Sequence, residues 1–539
     1  MTQSSNRADG APGAAALSGR GIAQAAGLVV TGFVLSRLLG LVREVVLAHV
    51  FGAGRVYDAY VAAARPPETL FLIVAGGALG SAFIPTFAAY LVRGERGEAW
   101  RLASAVVNLI TLFLVGLAAL GAIFARPIVA WTLGQGFDAP TQALTARLMQ
   151  VMLISPVIFG ISGLLMGILN AHQRFLLPAL APALYNLGII FGAVALAPSL
   201  GIFGAAWGAV IGSALHLLVQ LPGLIALRPA YAPLLDARHP GVREVLRLMG
   251  PRVLGLAIVQ VNFWVNIALA SGMVEGSVAA LQRAWVILLL PQGVIAQSVA
   301  NAVFPTFAVQ AARDDLDALR RTLGQVLRSV LFLSLPASVG LLLLRLPLAR
   351  LIYERGAFQP QDSQAVAWAL LFYSLGLAFH SLLEVVTRAF YALHDTRTPV
   401  VVGGGAMLLN VALSLALMRV IGQPGSLERG PFGGLALANT LATTLETLAL
   451  LILLRARLGG LEGRRLAGAA LRSGAASAGM GLALGGLLPW MGRLGVIAGT
   501  LGGIAVGGAI YGGLALLLRS EEARLFVRLV SEHVGGGAR

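Results

Sequence analysis

The heptapeptide AFIPTFA at residues 82–88 returns as AVFPTFA at residues 302–308. The two copies are 220 positions apart, and the same offset links Gly136 with Gly356. Agreement across so long a separation indicates that the chain contains an internal repeat. Repeats of this length are typical of transporters whose two halves share one fold.

The composition around the repeat is typical of a membrane protein. Of the 539 residues, 58% are hydrophobic and only 12% are charged, and the mean hydropathy is +0.84. Apolar stretches recur from about Ala25 to Leu517, each long enough to cross roughly 30 Å of hydrocarbon as a helix. The net charge of +16 comes from basic residues in the short connections, as the positive-inside rule describes. We therefore expect no nucleic-acid partner, and the absence of cysteine excludes thiol chemistry and thiolate metal sites.

Division at the polar breaks predicts an all-α polytopic membrane protein of about fourteen transmembrane helices. The predicted spans are 22–50, 58–92, 100–124, 142–170, 175–198, 202–227, 245–272, 277–310, 322–344, 364–393, 398–420, 432–455, 467–490 and 494–518. Because the repeat unit contains an even number of spans, both halves enter the membrane from the same side, as in parallel-repeat transporters. The predicted parts are a disordered cytoplasmic tail (1–21), a six-helix N-terminal lobe (22–228), a six-helix C-terminal lobe (243–456), two extra helices (464–519) and a cytoplasmic tail (520–539).

Two arginines, Arg37 and Arg283, lie deep inside predicted spans with no acidic residue three or four positions away. A charge at the bilayer centre costs roughly 2.5 to 3.5 kcal/mol, so such residues usually face a partner or a water-filled cavity. One alternative is that they reach the interface or pair structurally, and Glu44 is on the same helix face as Arg37. If both line a cavity between the lobes, their guanidinium groups suit phosphate oxygens, and the expected ligand carries phosphate or diphosphate.

Motifs of catalysis and nucleotide binding are absent from the sequence. It contains no Walker loop, HExxH, GxSxG or His/Asp cluster with metal-ligand spacing. We therefore predict that the protein is not an enzyme and has no cofactor or metal site, while coupling of transport to Na⁺ or H⁺ stays open.

The segment SRLLGLVRE at residues 36–44, followed by FGAG at 51–54 and DAY at 58–60, resembles the MurJ (MviN) family of lipid II flippases. The likeness continues through GILN at 167–170 and resumes at FYA at 390–392. It extends over roughly residues 25 to 455, and its opening string is fairly specific.

The resemblance implies a fourteen-helix fold of the multidrug/oligosaccharidyl-lipid/polysaccharide exporter class. It implies a flippase that moves undecaprenyl-diphosphate-linked lipid II from the cytoplasmic to the outer leaflet of the bacterial inner membrane by alternating access. Both termini would be cytoplasmic, and cell-wall synthesis proteins are candidate partners beside lipid II and membrane lipids. In the family, arginines matching Arg37, Arg43 and Arg283 lie in a cationic cavity, and an acid matching Asp58 is important. The last two helices would form a groove for the lipid tail.

The chain departs from the family pattern in its second helix. Phe71 and Gly76 stand where family members often carry a basic residue and an acid. Arg65 and Arg252 are the residues that could supply charge elsewhere, and the substrate-binding set therefore includes Arg65. The additional candidate cavity residues are Arg252, Gln260 and Asn266.

Two other functions remain open at this stage. One is a cation-coupled multidrug antiporter of the same superfamily, although unpaired arginines in the cavity would repel cationic drugs. The other is a non-transporting membrane scaffold of cell-wall synthesis.

Overall fold

A computed structural model describes residues 19–74, 82–525 and 527–528, with backbone alone at 19–30, 33, 74 and 250–259. Within these ranges the chain is helical and has no β-strand. The helices are Gly19–Phe51 (α1), Arg55–Val74 (α2), Ile84–Val92 (α3), Arg96–Ile123 (α4), Ala125–Ile128 (α5), Ala139–Met152 (α6), Ile154–Ala171 (α7), Leu176–Phe191 (α8), Ala197–Leu200 (α9), Ile202–Leu218 (α10), Leu221–Ile225 (α11), Pro240–Ser271 (α12), Ser277–Gln292 (α13), Ser298–Ala312 (α14), Leu316–Tyr353 (α15), Pro360–Ala392 (α16), Arg397–Leu417 (α17), Phe432–Arg457 (α18), Gly463–Met491 (α19) and Val496–Leu517 (α20).

The helices confirm the predicted all-α membrane fold. Ten helical segments of the described chain are long and apolar enough to cross a membrane. The other four predicted spans, 22–50, 58–92, 245–272 and 467–490, are also mainly helical, as α1, α2 with α3, α12 and α19. A polytopic membrane protein is therefore the architecture that both the sequence and the structure support.

The internal repeat is confirmed at the turn that follows each copy of the repeated heptapeptide. Gly94 has φ 76° and Asp314, 220 positions later, has φ 55°, so both occupy the left-handed region. The amide of Glu95 donates to the Tyr90 carbonyl at 3.0 Å, and the equivalent amide 220 positions on donates to the Gln310 carbonyl at 3.0 Å. Phe87 and its counterpart 220 positions later, Phe307, are both fully buried. The repeat therefore preserves backbone geometry as well as sequence.

The chain divides into two compact units. Unit 1 comprises residues 1–43, 66–124 and 149–256, and unit 2 comprises 44–65, 125–148 and 257–539. Each has its own apolar core: in unit 1 Phe87, Trp100 and Leu164 belong to one buried cluster, and in unit 2 Phe307 and Val386 belong to another. Burial of such side chains stabilises by about 1.5 to 3 kcal/mol each.

The two C-terminal helices, α19 and α20, pack against α15 inside unit 2. Phe332 of α15 belongs to one buried cluster with Met480 and Tyr511, and the Tyr511 hydroxyl donates to the Phe332 carbonyl at 2.6 Å.

A charged cluster adds to this contact. Arg328 of α15 pairs with Glu462 at 2.9 Å and with Glu522 at 3.4 Å, and the three side chains are 12%, 19% and 8% exposed. We call these three residues the Arg328 cluster. It holds the connection into α19 and the segment after α20 against one long helix.

Candidate functional site

Asp58, one of the predicted site residues, caps a helix that is distant from it in sequence. Its side chain is 3% exposed, and its two carboxylate oxygens accept from the amides of Gly276 at 2.7 Å and Ala279 at 2.8 Å. These amides stand at the start of α13, where the helix dipole favours a negative charge. A Cβ on Gly276, whose φ is 88°, would lie 2.4 Å from the Ala53 carbonyl oxygen, so the position requires glycine.

Arg283 lies on the same helix in an aromatic enclosure. The guanidinium carbon is 4.1 Å from the centre of the Tyr57 ring and 4.7 Å from that of Phe358, and Tyr353 is farther at 5.8 Å. Its Nη2 donates to the Gly52 carbonyl at 2.6 Å, and the side chain is 0% exposed. Desolvated stacking of this kind stabilises by about 2 kcal/mol or more. Contact between Arg283 and a substrate stays a prediction, because in this structure the rings cover its charge.

Asp58 and Arg283 therefore hold the start of α13 to the segment 52–58 of unit 2. We call the set Gly52, Asp58, Gly276, Ala279 and Arg283 the Asp58 junction. Its hydrogen bonds are buried and involve charged groups, which makes them stronger than exposed neutral ones.

Exposed contacts surround the junction. Arg55 pairs with Asp138 at 3.1 Å and with Glu275 at 3.7 Å, and the Arg55 amide donates to Glu275 at 2.7 Å. Hydrogen bonding from Thr141 and Arg55 lowers the pKa of Asp138. The Ala357 amide also donates to the His49 carbonyl at 2.8 Å. The exposed ion pairs contribute little, at about 0 to 1 kcal/mol each, so the buried carboxylate and guanidinium dominate.

Arg65 lies at a small cavity within unit 2. Its Nη2 donates to the Gln282 side-chain oxygen, and its guanidinium carbon is 5.3 Å from the centre of the Phe263 ring. Asn266, another predicted cavity residue, lines the same space together with Trp285. The cavity has a volume of about 40 Å³, room for roughly one water molecule. The structure thus brings two of the predicted residues together and adds Gln282.

In unit 1, Arg43 is tied to α8. Its Nη1 donates to the Asn186 side-chain oxygen at 3.2 Å, while the Asn186 amide group donates to the carbonyls of Ser36 at 3.3 Å and Pro182 at 3.1 Å. Arg43 is half-buried and Arg37 is exposed, both on α1. Asn186 thereby fixes both the direction of Arg43 and the packing of α1 on α8.

Four further positions named in the sequence analysis lie elsewhere in the chain. Gln260 is buried on α12 at 7% exposure. The side chain of Arg252 lies outside the described side chains, and Gly76, where a family charge is missing, lies outside the described residues. Phe71 packs against Phe159 with ring centres 4.6 Å apart.

The sequence analysis missed the partners of the charged residues. Gln282 is adjacent to Arg283 in the sequence, yet nothing in a single chain indicates that it faces Arg65. Tyr353 and Phe358 are some 70 positions from Arg283, and their role depends on tertiary packing alone.

The sequence matches a family model and several known proteins. A family model described as lipid II flippase MurJ matches residues 47–497. A protein of Burkholderia cenocepacia named lipid II flippase MurJ is 30% identical over 407 residues, covering 74% of this chain and 79% of that protein. A protein of Bdellovibrio bacteriovorus named probable lipid II flippase MurJ is 32% identical over 417 residues, covering 76% and 79%.

The fold is also similar to those of solved structures. A structure described as lipid II flippase MurJ in an inward closed conformation is similar with a TM-score of 0.75 and 26% identity, over 93% of this chain and 99% of that one. An inward-facing multidrug transporter of the MATE family gives a TM-score of 0.66 at 16% identity, over 79% and 96% of the two chains. The second likeness shows the fold alone.

Proposed function

The chain belongs to the MurJ family of lipid II flippases, and on this premise we propose that its arginines bind the diphosphate of lipid II while the Asp58 junction controls conformation. The protein is a multi-pass membrane transporter and not an enzyme. It moves lipid II, a peptidoglycan precursor, across the bacterial inner membrane.

The observation that carries the proposal is the Arg65 guanidinium at the wall of a cavity, bonded to the neutral amide of Gln282. A phosphate oxygen in place of the Gln282 oxygen would give the guanidinium an anionic acceptor that it can bind in bidentate geometry, which a neutral amide oxygen does not offer. The cavity of about 40 Å³ is too small for a diphosphate. The headgroup therefore binds only when Gln282, and with it α13, moves away from Arg65.

α13 connects this step with the Asp58 junction. The helix carries Gln282 and Arg283 side by side, and Asp58 holds its first turn. Movement of α13 that releases Arg65 would strain the two hydrogen bonds of Asp58. Alternating access requires contacts that form in one state and break in another. In our proposal, Asp58 and Arg283 supply such contacts in unit 2.

Unit 1 contributes Arg37 and Arg43 as further phosphate-attracting groups on α1. Arg43 is already directed by Asn186, which reduces the conformational entropy that it loses when an anion binds. We further propose that both termini are cytoplasmic, that residues 22–228 and 243–456 are the two lobes that move, and that 464–519 forms the groove for the lipid tail. An interior-negative potential would favour outward movement of the anionic headgroup by roughly 2.3 kcal/mol per charge per 100 mV.

The test is translocation of fluorescent lipid II by the full-length protein in liposomes. We expect Arg65→Gln to lower the initial rate by about 10- to 100-fold, since a charge-assisted hydrogen bond contributes about 1.5 to 3 kcal/mol. Arg65→Lys should recover part of the loss. The control is Arg126→Gln, an exposed arginine at the start of α5. Equal rates for the Arg65→Gln and Arg126→Gln variants, both folded, would overturn the role of Arg65, and no translocation by the unmodified protein would overturn the function itself.

A further inference from the structure

A cavity of about 640 Å³ lies in unit 1 beside α4, and none of the candidate site residues described above lines it. Its walls are α4, α7, α10 with α11, and the segment 228–239 that connects α11 to α12, which we call the strap. Leu165 and Leu221 are among the mainly apolar residues that line it. The volume is in the range of cavities that hold small organic ligands.

The strap is a fixed wall of this cavity. The Asn108 amide group donates to the carbonyls of Ala232 at 3.2 Å and Leu234 at 2.9 Å, and its oxygen accepts from the Tyr231 hydroxyl at 2.8 Å. The Ser104 hydroxyl accepts from the Ala232 amide at 3.1 Å. These bonds attach the strap to α4 through the backbone of Ala232 and Leu234 and the side chain of Tyr231, so the cavity is a built feature and not a gap under a loose loop.

Two residues of the lining each carry a buried polar group that has no hydrogen-bond partner within the part of the chain that the structure describes. These groups are the indole N–H of Trp100, a residue 4% exposed, and the hydroxyl of Thr111. Buried indole N–H groups usually have an acceptor, and leaving one without costs about 1 to 3 kcal/mol. The lining therefore matches an apolar chain that also carries an acceptor oxygen.

The cavity opens at the exposed face of α4. Only 17% of an apolar stretch of 18 residues in α4 is buried. Leu112 and Val115, which line the cavity, are 58% and 46% exposed. Exposed arginines stand at the other end of the cavity, near Trp100: Arg101, whose guanidinium pairs with Glu98 at 3.0 Å, follows Trp100, and Arg228 begins the strap. An apolar opening at one end of the cavity and guanidinium groups at the other fit a lipid with an anionic headgroup.

We propose that this cavity binds one acyl chain of an anionic phospholipid from the surrounding bilayer. The chain lies along α4 between Leu165 and Val115, and a phosphate oxygen accepts from the Trp100 indole while the same phosphate is drawn towards the arginines. A polyprenyl chain is several times longer than an acyl chain and exceeds the cavity. The site is distinct from Arg65 and the Asp58 junction, and it does not depend on the transport proposal.

The first test uses full-length protein in nanodiscs that contain phosphatidylglycerol with a photoactivatable group at the end of one chain. Mass spectrometry should locate adducts on the segments around Val115 and Leu165. Val115→Trp, which fills the mouth, should lower this labelling by about tenfold. The control Leu120→Trp changes a residue of the same helix that is 54% exposed and lies outside the lining, and it should leave labelling intact. Equal labelling in the two variants, or adducts spread evenly over α4, would overturn the proposal.

The second test concerns the headgroup. Trp100→Phe removes the indole N–H and keeps an aromatic ring, so labelling by phosphatidylglycerol should fall by about tenfold while labelling by a neutral diacylglycerol probe stays the same. A polyprenyl phosphate probe that labels the cavity more strongly than phosphatidylglycerol would overturn the assignment to a phospholipid. The readout is labelling and not transport, so failure here leaves the role of Arg65 unaffected.

Discussion

The substitution Asp58→Asn tests how firmly the Asp58 junction holds α13. The carboxylate accepts two amide hydrogen bonds, at 2.7 and 2.8 Å, while the side chain is 3% exposed. Asparagine retains one acceptor and turns its NH₂ group towards the other amide. One hydrogen bond to a charged group is lost, which is a loss of about 1.5 to 3 kcal/mol, and the favourable charge at the helix N-terminus is lost with it. The opening equilibrium of the first turn should therefore increase by about 10- to 100-fold.

Hydrogen–deuterium exchange of the full-length protein in nanodiscs measures this opening directly. Amides of residues 276–280 should exchange faster in the Asp58→Asn variant by the factor given above, because exchange reports local opening. The matched control is Glu275→Gln, which removes an exposed pair with Arg55 whose side chains are 43% and 51% exposed. Such a pair contributes about 0 to 1 kcal/mol, so exchange should rise by about fivefold at most. Unchanged protection of residues 276–280 in a folded Asp58→Asn protein would refute the reasoning.

Three further predictions concern other charged groups. Arg328→Gln leaves two carboxylates of the Arg328 cluster without their cation and should destabilise the protein by about 3 kcal/mol, whereas Arg465→Gln, at 71% exposure, should leave the thermal midpoint unchanged. Arg283→Lys keeps the charge but loses the planar stacking, so it should lower the thermal midpoint; an unchanged midpoint would show that the enclosure needs only a cation. Hydrogen bonds from the Thr398 backbone and hydroxyl lower the pKa of Asp395, so its ionised form stabilises the fold above its unfolded pKa of about 3.9, and this stability is lost as pH falls through the lower folded pKa. The difference between the thermal midpoints measured in acid and at neutral pH should therefore be smaller for Asp395→Asn than for the unmodified protein. An equal difference in the two proteins would contradict this prediction.

Much of the fold can be predicted from the sequence because bilayer thickness and the repeat constrain it strongly. The apolar runs correctly predict where the long helices lie, and the 220-residue offset correctly indicates that the turn at Gly94 is repeated at Asp314. The connection between α11 and α12 was visible only as a polar break. Its role as a wall of the α4 cavity depends on Ser104 and Asn108, which stand within an apolar span and have no distinguishing local pattern.

The site was predicted less completely. The choice of Arg283 and Asp58 as site residues follows from the sequence pattern and the family resemblance, and both are buried in unit 2. Their partners could not be predicted, because Gly276 contributes only its backbone and the rings around Arg283 come from α2 and from the end of α15 onward. A hydrogen bond from a backbone amide leaves no signature in one sequence. The proposal that Arg65 binds the headgroup while Asp58 and Arg283 form the junction therefore rests on the contacts in the structure.

Native mass spectrometry of the purified full-length protein tests the central claim most directly, namely that Arg65 recognises the diphosphate of the substrate. The protein should retain one molecule of lipid II, discriminate against the uncharged polyprenol of the same chain length, and bind lipid II about tenfold more weakly after Arg65→Gln than after Arg126→Gln. Equal retention of polyprenol and lipid II, or equal binding by the two variants, would contradict the account.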